Sequence, residues 1–398
     1  MSPSSARNVD RITELQNSLT SLSKVALENE DERKKLLAVL RAQVAVLETP
    51  LEVVWRMMME PHQSTALRSA QGMGLIEPIV SSSPRTATEL ATITKCDKQL
   101  IVRILRCLSA MKMVDEVDYE TYASNPTTQI LTVPSVGGGF KFMFDEAAVS
   151  VVHVPAFLSK TGYKNPEGPE TCFQSAFNTD LQLFPYLMAN PERMGHLNDL
   201  MTGQRMNRTE WFDFSDVDSI LFDGMDTKDS DATLLIDIGG GRGHDLEAFR
   251  NKFPNAKGKL VLQDLPPVIA DIEALDSSIV RMEHNFFTEQ PIKGARAYYI
   301  RSCLHDYNDA DDRKILRQIV DAMKPGYSKL LIFEWILPDV GTPLYPALLD
   351  LNMLALFSGM ERTETHWRNL LESVGLEVVK VWSIGKETEG LIEAMKKA

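Results

Sequence analysis

The sequence predicts an α/β fold in which a parallel sheet is covered by helices on both faces and is preceded by an all-helical region ending in a winged helix-turn-helix pattern. Strand-like and helix-like segments alternate from Thr233 to Trp335, as they do where crossover helices wind a sheet. One of these strands runs straight into a glycine-rich turn, Gly239-Gly240-Gly241-Arg242-Gly243. The first 135 residues show helical periodicity and capping signals instead, with only one short hairpin among them.

A chain of 398 residues is too long for one ordinary core and divides, at ~150 residues per domain, into two or three. Hydrophobic residues at 44% and charged residues at 24% fit a globular protein, and 22 Gly with 20 Pro exclude a fibrous or low-complexity one. A net charge of -13 repels phosphate backbones and anionic membranes, so neither is an expected partner. Cys96, Cys107, Cys172 and Cys303 form no C-x-x-C pair. They write neither a disulfide framework nor a zinc knuckle, and a reducing, cytoplasmic location is expected. Met1 to Arg11 has no apolar run behind it, and no window reaches ~18 uncharged apolar residues, so no signal peptide and no membrane span are expected.

Along the chain, Ile12, Leu15, Leu19 and Leu22, then Leu36, Leu37, Leu40, Val44 and Leu47, recur at helical spacing and predict two amphipathic helices. So small a segment has little core of its own, and a second chain or the later domain is expected to cover it. Gln63 to Met73 reads as a helix stopped by Gly74. Thr86 with Glu89 caps a short helix, Asp97 caps a longer one through Ala110, and Val114 to Tyr122 forms two small strands. Lys98, Arg103, Arg106 and Lys112 on the third helix invite a DNA-binding reading. Glu60 to Ser135, however, holds seven basic and eight acidic side chains, leaving no electrostatic footprint for DNA.

Gly137-Gly138-Gly139 is expected to break the chain. Phe140 to Leu200 is then mostly helical around a loop at Lys164 to Pro169, and its aromatic residues either line an apolar pocket or simply pack. Asp223 to Asp231 reads as a linker. The strands expected beyond it are Thr233 to Ile238, Lys259 to Gln263, Ala297 to Arg301 and Lys329 to Trp335. Helices are expected at His244 to Phe253, Pro267 to Ala274 and Ala310 to Ala322, and edge strands at Glu377 to Ile384 and Leu391 to Met395. The domains are thus residues 1–135, 136–228 and 229–398.

The turn reads D-x-G-x-G-x-G, from Asp237 through Gly239, Gly241 and Gly243. It is not the dinucleotide pattern G-x-G-x-x-G, because the sixth position is His244, and there is no G-K-[ST] of a phosphate loop. An acid two residues before the first glycine suits a ligand with a cationic amino acid, such as S-adenosylmethionine. A second acid, Asp264, ends the next strand about twenty residues on, where ribose hydroxyls can donate to it.

With these residues the chain resembles the class I methyltransferases, and among them the caffeate-type small-molecule O-methyltransferases of the fungal branch, from about Glu48 to the end. Matching stretches include Glu60-Pro61-His62-Gln63, Gln263-Asp264-Leu265-Pro266, Leu304-His305-Asp306 and Glu361-Arg362-Thr363. The resemblance implies a winged-helix region that makes an intertwined homodimer, a Rossmann-like domain that binds S-adenosylmethionine, and a small-molecule substrate. It assigns Gly239, Gly240, Gly241 and Gly243 to the methionine part and Asp264 with Leu265 to the ribose. The family's acid-Met pair falls on Asn285 and Phe286, its Lys on Arg301, and its aromatic after His-Asp on Tyr307. His305 matches the catalytic base, flanked by Glu334 and Glu361. Phe142, Phe177, Met201, Asp306, Met353 and Phe357 are candidates for the substrate pocket, together with Trp335. No metal site is expected, since His305 has only Cys303 beside it in the sequence.

The trio agrees with elementary chemistry. A neutral imidazole can take a hydroxyl proton while a carboxylate on its far nitrogen fixes the tautomer. The expected activity is methyl transfer to a hydroxyl of an aromatic or polyketide-like metabolite. Leporin-type pericyclases are similar along the chain, including at Leu47-Glu48-Thr49-Pro50 and Ala176-Phe177-Asn178-Thr179-Asp180, but carry Arg where this chain has His305. Asn285 and the Met201 to Arg208 segment keep the pericyclase alternative open, and a cofactor-sensing DNA-binding protein is a third.

Overall fold

A computed structural model describes residues 3–206, 208–225 and 231–396, and the chain separates into two compact units, Met1–Thr128 and Gln129–Ala398. In the first unit α1 (Pro3–Ala26) and α2 (Glu30–Leu47) are the two amphipathic helices expected. Next comes α3 (Pro50–Gly72), which begins well before Gln63 because Thr49 and Glu52 form a capping box with Pro50 in the first turn. Then come α4 (Ile76–Ser81), β1 (Arg85–Thr86), α5 (Ala87–Thr94), α6 (Lys98–Ala110), β2 (Asp115–Asp118) and β3 (Thr121–Ala123), with the strands in the order β1-β3-β2. Thr86 and Asp97 cap α5 and α6 through hydrogen bonds from Glu89 N and Leu100 N. Lys112, expected on the third helix, lies just beyond it in the left-handed region (φ 60°). Leu75, Ile79, Leu90, Ile101, Leu105 and Leu108 make a small buried core, while Ile12, Leu15, Leu22, Trp55, Met57, Met58 and Met59 are exposed.

From the short α7 (Pro126–Ile130) the chain enters the second unit, where α8 (Pro134–Phe142) continues through a wide turn, Met143–Ala148, into α9 (Val149–Lys160). The three glycines therefore do not break the chain. They lie inside α8 because α12 (Pro191–Gln204) crosses it too closely for side chains: a Cβ at Gly138 would strike the Asp199 carboxylate, and one at Gly139 would sit 3.0 Å from the Leu200 backbone. Close packing outweighs the weak helix propensity of glycine. Pro134–Lys160 is long and apolar enough to cross a membrane by length and composition, yet Phe142, Ala147, Val154 and Phe157 on it are buried in core clusters. Between α9 and α12 lie α10 (Cys172–Phe177) and α11 (Leu183–Met188), and α13 (Trp211–Phe214) follows.

The strands that follow are β4 (Thr233–Ile238), β5 (Lys259–Asp264), β6 (Ile279–Glu283), β7 (Ala297–Arg301), β8 (Lys329–Glu334), β9 (Ile336–Leu337) and β10 (Arg362–Thr363), which pair with each other alone, β11 (Leu376–Trp382) and β12 (Gly390–Lys396). Helices α14 (His244–Lys252), α15 (Pro266–Ala270), α16 (Asp309–Ala322), α17 (Leu344–Phe357) and α18 (Glu364–Glu372) connect them. Seven strands form one sheet in the order β11-β12-β8-β7-β4-β5-β6, parallel from β8 to β6. Two expectations need correction. β12 is not an edge: it pairs antiparallel with both β8 and β11, and Leu391, Ile392 and Ala394 are fully buried, as an internal strand requires. The true edges are β11 and β6, and β6, whose middle residues are exposed, gives little hydrophobic signal. Helix α15 also ends four residues before Ala274. Part of the expected linker, residues 226–230, lies outside the described residues.

Both faces of the sheet are dry. Ile236, Ile238, Tyr298, Ile300 and Ile332 pack on α16 and α18, while Leu235, Leu262, Tyr299, Leu331 and Phe333 pack on Trp211, Leu246 and Phe249. Each such aliphatic side chain contributes about 1.5–3 kcal/mol by burial. The result is a rigid base whose polar residues gather where the parallel strands end.

Candidate active site

Two clusters stand at that carboxyl edge. In the first, β4 ends and the chain turns through Gly239, Gly241 and Gly243, all with positive φ (69°, 59° and 82°), into α14. A side chain at Gly240 would collide with the Asp237 carboxylate, and one at Gly239 would come within 2.9 Å of Cys303 Sγ. The turn is pinned from the neighbouring strand. Gly239 N and Gly240 N donate to Gln263 O, and Gly241 N donates to Asp264 Oδ2 at 2.8 Å. Asp237 is 2% exposed, and its Oδ2 has no hydrogen-bond partner among the described residues. Burial pushes its acid up to about 7, against the pull of Arg205, Arg301 and Arg208. An orphaned buried carboxylate is costly unless a donor meets it.

The charges packed beneath Asp237 carry no local sequence motif. Asp245 pairs with Arg205 and Arg208 and accepts from Tyr299 Oη at 2.7 Å. Arg301, matched to a cofactor-binding lysine, is held by Glu389 at 2.9 Å and lies 4.0 Å from Asp245. The signal for this cluster is the pair Arg205 and Arg208 in the Met201 to Arg208 segment, which holds no acid of its own. Asn285 is exposed and its Oδ1 accepts from Phe287 N, so the side chain stabilises its own turn. Phe286 packs 3.5 Å from where a Gly239 side chain would be, and Leu265 is exposed beside Asp264.

The second cluster surrounds His305, in the helical turn Leu304–Asp306 after β7. His305 Nδ1 is 2.8 Å from Glu361 Oε1 and 3.7 Å from Glu334 Oε2, and Nε2 is 3.6 Å from Asp306 Oδ1. Glu334 is fully buried at the end of β8 and accepts from Cys303 N at 3.0 Å and Leu304 N at 3.1 Å through Oε1. Glu361 is held by its own amide, which donates to Asp350 Oδ1 at 2.8 Å. Burial disfavours imidazolium at His305, but the Glu334 and Glu361 charges and the Glu361 hydrogen bond outweigh it and raise the imidazole well above its ordinary 6.5. Burial likewise lifts Glu334 to about 7 and Asp306 to about 6, opposed in each by His305. The buried Glu334 and the partly buried Asp306 therefore share protons with the imidazole between them.

These neighbours also correct the premise that His305 has only Cys303 nearby, since donor atoms of His305, Glu334 and Glu361 lie within 4.8 Å of one another, near enough to hold a metal ion. The pocket candidates divide. Phe142 and Met353 are buried, whereas Phe177 and Phe357 are only partly buried against the Phe142 cluster, Phe177 stacking on Phe173 at 4.6 Å. Met201 is exposed, and Trp335 meets Tyr345 at 5.5 Å.

A mixed, mainly parallel sheet whose strand, glycine turn and helix leave one carboxylate bare, with a second acid ending the next strand, is an arrangement that α/β methyltransferases share. A family model for the O-methyltransferase domain matches residues 169–377, and the chain belongs to that O-methyltransferase family. It is 34% identical to O-methyltransferase mfmE of Annulohypoxylon moriforme, with 94% of each protein covered. It is 37% identical to O-methyltransferase asqD of Emericella nidulans, over 85% of this chain and 87% of that one. Among solved structures it is similar to a pericyclic reaction enzyme, and to LepI in complex with SAM, both with TM-score 0.87, 28% identity and 98% and 100% coverage. OxaC in complex with SAH and oxaline matches with TM-score 0.82 and 26% identity over 97% of this chain and 99% of that one. The cofactor is S-adenosylmethionine.

Proposed function

We propose that the protein methylates a hydroxyl of an aromatic or polyketide-like secondary metabolite, with His305 as general base. The observation that carries this is the 2.8 Å contact between His305 Nδ1 and the buried Glu361. It leaves Nε2 as the proton acceptor.

In this reading Asp237, Gly239, Gly240, Gly241 and Gly243 hold the amino-acid end of the cofactor, Asp264 and Leu265 the ribose, and Phe286, with Asn285 at its side, the adenine. The bare Asp237 Oδ2 is the fit for an ammonium group. Arg301 acts one layer below, through its pairing with Glu389. When bound, S-adenosylmethionine supplies an electrophilic sulfonium methyl. A phenol with a reference pKa near ~10 keeps its proton at neutral pH, so His305 Nε2 must take it as the oxygen attacks. Glu361 accepts a hydrogen bond from Nδ1–H and, staying ionised, steadies imidazolium. Glu334 holds the shared proton in the microstate that leaves His305 neutral. Phe177, Met201, Phe357 and Asp306 contact the acceptor, with Phe142 and Met353 as packing behind them. No metal is required.

The first unit reads as a winged-helix scaffold, and its bare apolar helices fit a second copy of the chain, so a homodimer is expected on sedimentation. Nucleic acid and membrane are not expected partners: Lys98 on α6 is already paired with Glu120 at 2.6 Å. The location is cytoplasmic, and the functional divisions lie near residues 135 and 228.

A second reading, a pericyclase that binds the cofactor without spending its methyl, is supported by the likeness to a pericyclic reaction enzyme. Incubation with cofactor and a panel of phenolic and pyridone acceptors separates the two. Methylated product with equimolar S-adenosylhomocysteine supports the first, and product without it overturns methyl transfer.

A further inference from the structure

The segment that brings Glu361 to His305 also grips the backbone of the turn on which His305 sits. Gly359 lies so close to the His305 carbonyl that a Cβ there would collide with it, and Met360 N donates to the same carbonyl at 2.9 Å. Two residues on, Arg362 is fully buried. Its Nη1 donates to Leu304 O at 3.2 Å and its Nη2 to Tyr307 O at 3.0 Å, so one guanidinium spans the turn from its first residue to the residue after it. Nε donates to Asp309 Oδ1 at 3.0 Å, and Nη2 lies 2.7 Å from Asp312 Oδ2, which balances the buried charge. The plane is backed by Trp367, 5.1 Å away. Through β10, Arg362 is also in register with Ile336, two residues past Glu334.

Buried carbonyls need donors, and a planar fork can serve two diverging carbonyls at once where an ammonium serves one direction at a time. We propose that Arg362 is a positioning residue, the brace that fixes the His305 imidazole against Glu361 without touching substrate or cofactor. This rests on the reading of His305 as the base. The mechanism needs the imidazole held to a fraction of an ångström, and a displacement of ~1 Å costs up to ~10²-fold in rate.

The test is Arg362→Lys in the full chain, with Gly359→Ala as a second variant that pushes the same turn from its other side. Each is expected to lower kcat by ~10- to ~10²-fold while the cofactor Kd and acceptor KM stay near the parent values. The ¹⁵N shifts of His305 should move from one tautomer toward a mixture. A folded Arg362→Lys protein with parental kcat and an unchanged His305 tautomer would overturn the proposal. So would a loss of activity that only follows the unfolded fraction, the tautomer in the folded fraction being unchanged. If His305→Ala keeps its turnover, the base assignment fails separately, and the tautomer readout still reports whether Arg362 holds the ring.

Discussion

The proposed cofactor cradle is made mostly of backbone within one strand, turn and helix, whereas the proposed base draws its carboxylates from the end of β8 and the residue before β10. Asp237 to His244 are neighbours in sequence, and Gln263 and Asp264 reach across to pin their backbone. His305 and Glu361 are 56 residues apart and meet where the chain entering β10, paired with β9, grips the His305 turn. A cradle of this kind tolerates change around it but not within it. A base assembled from distant segments should be sensitive to residues that never touch the substrate.

The largest expected effect is on the base side. His305→Ala should lower kcat by ~10² or more, the share of a positioned general base, with cofactor affinity intact by calorimetry. If both fall together, the two clusters are one cooperative unit and the division fails. The next effect is on the cradle. Asp237→Asn keeps the shape and removes the charge, and a charge-assisted hydrogen bond contributes about 1.5–3 kcal/mol, so the cofactor Kd should rise by ~10- to ~10²-fold. The pH profile of kcat should not move, since His305 takes its shift from other groups.

Glu361→Gln sharpens the base side further. Its carboxylate raises the imidazole, so the acid limb of kcat against pH should lie above the ordinary histidine value of 6.5 in the parent enzyme. Raised affinity for the proton means the base is blocked up to a higher pH and frees itself as pH rises. Removing one carboxylate should therefore move the limb to lower pH while turnover drops by ~10-fold through loss of the oriented tautomer. A limb that moved upward would mean that Glu361 does not act on His305 in solution.

The same contrast explains what was legible in the sequence. The cradle reads directly, because an apolar strand, a D-x-G-x-G-x-G turn and a helix are consecutive. Most of the sheet reads well too, since strands buried on both faces are near-continuous apolar runs. The edge β6 alternates too weakly, and nothing local tells that β12 inserts between β8 and β11, because pairing order is a long-range property. The glycines of α8 read as a break because their partner, α12, lies about sixty residues further on. His305, Glu334 and Glu361 were reached through family resemblance rather than spacing. The Asp245 and Arg362 networks were not reached at all, since buried ion pairs leave no periodic mark.

The smallest expected effect is on metal removal, and it tests the base side most directly. His305, Glu334 and Glu361 offer donor atoms within 4.8 Å of one another, which would suit a divalent cation as well as a shared proton. Two of the residues are already engaged with each other, His305 Nδ1 facing Glu361 Oε1 at hydrogen-bond distance, and Glu334 is held through Oε1 by two backbone amides. A zinc ion at ~2.0–2.2 Å from nitrogen and oxygen ligands would have to replace the first of these contacts. If the trio works as a hydrogen-bonded base, dialysis against a chelator should leave kcat and KM unchanged, and added zinc should inhibit or do nothing. Loss of activity on chelation with recovery on adding zinc or cobalt would replace the proton-sharing base with a metal centre. The cradle, where no such donor set lies among the described residues, would be unaffected in either case.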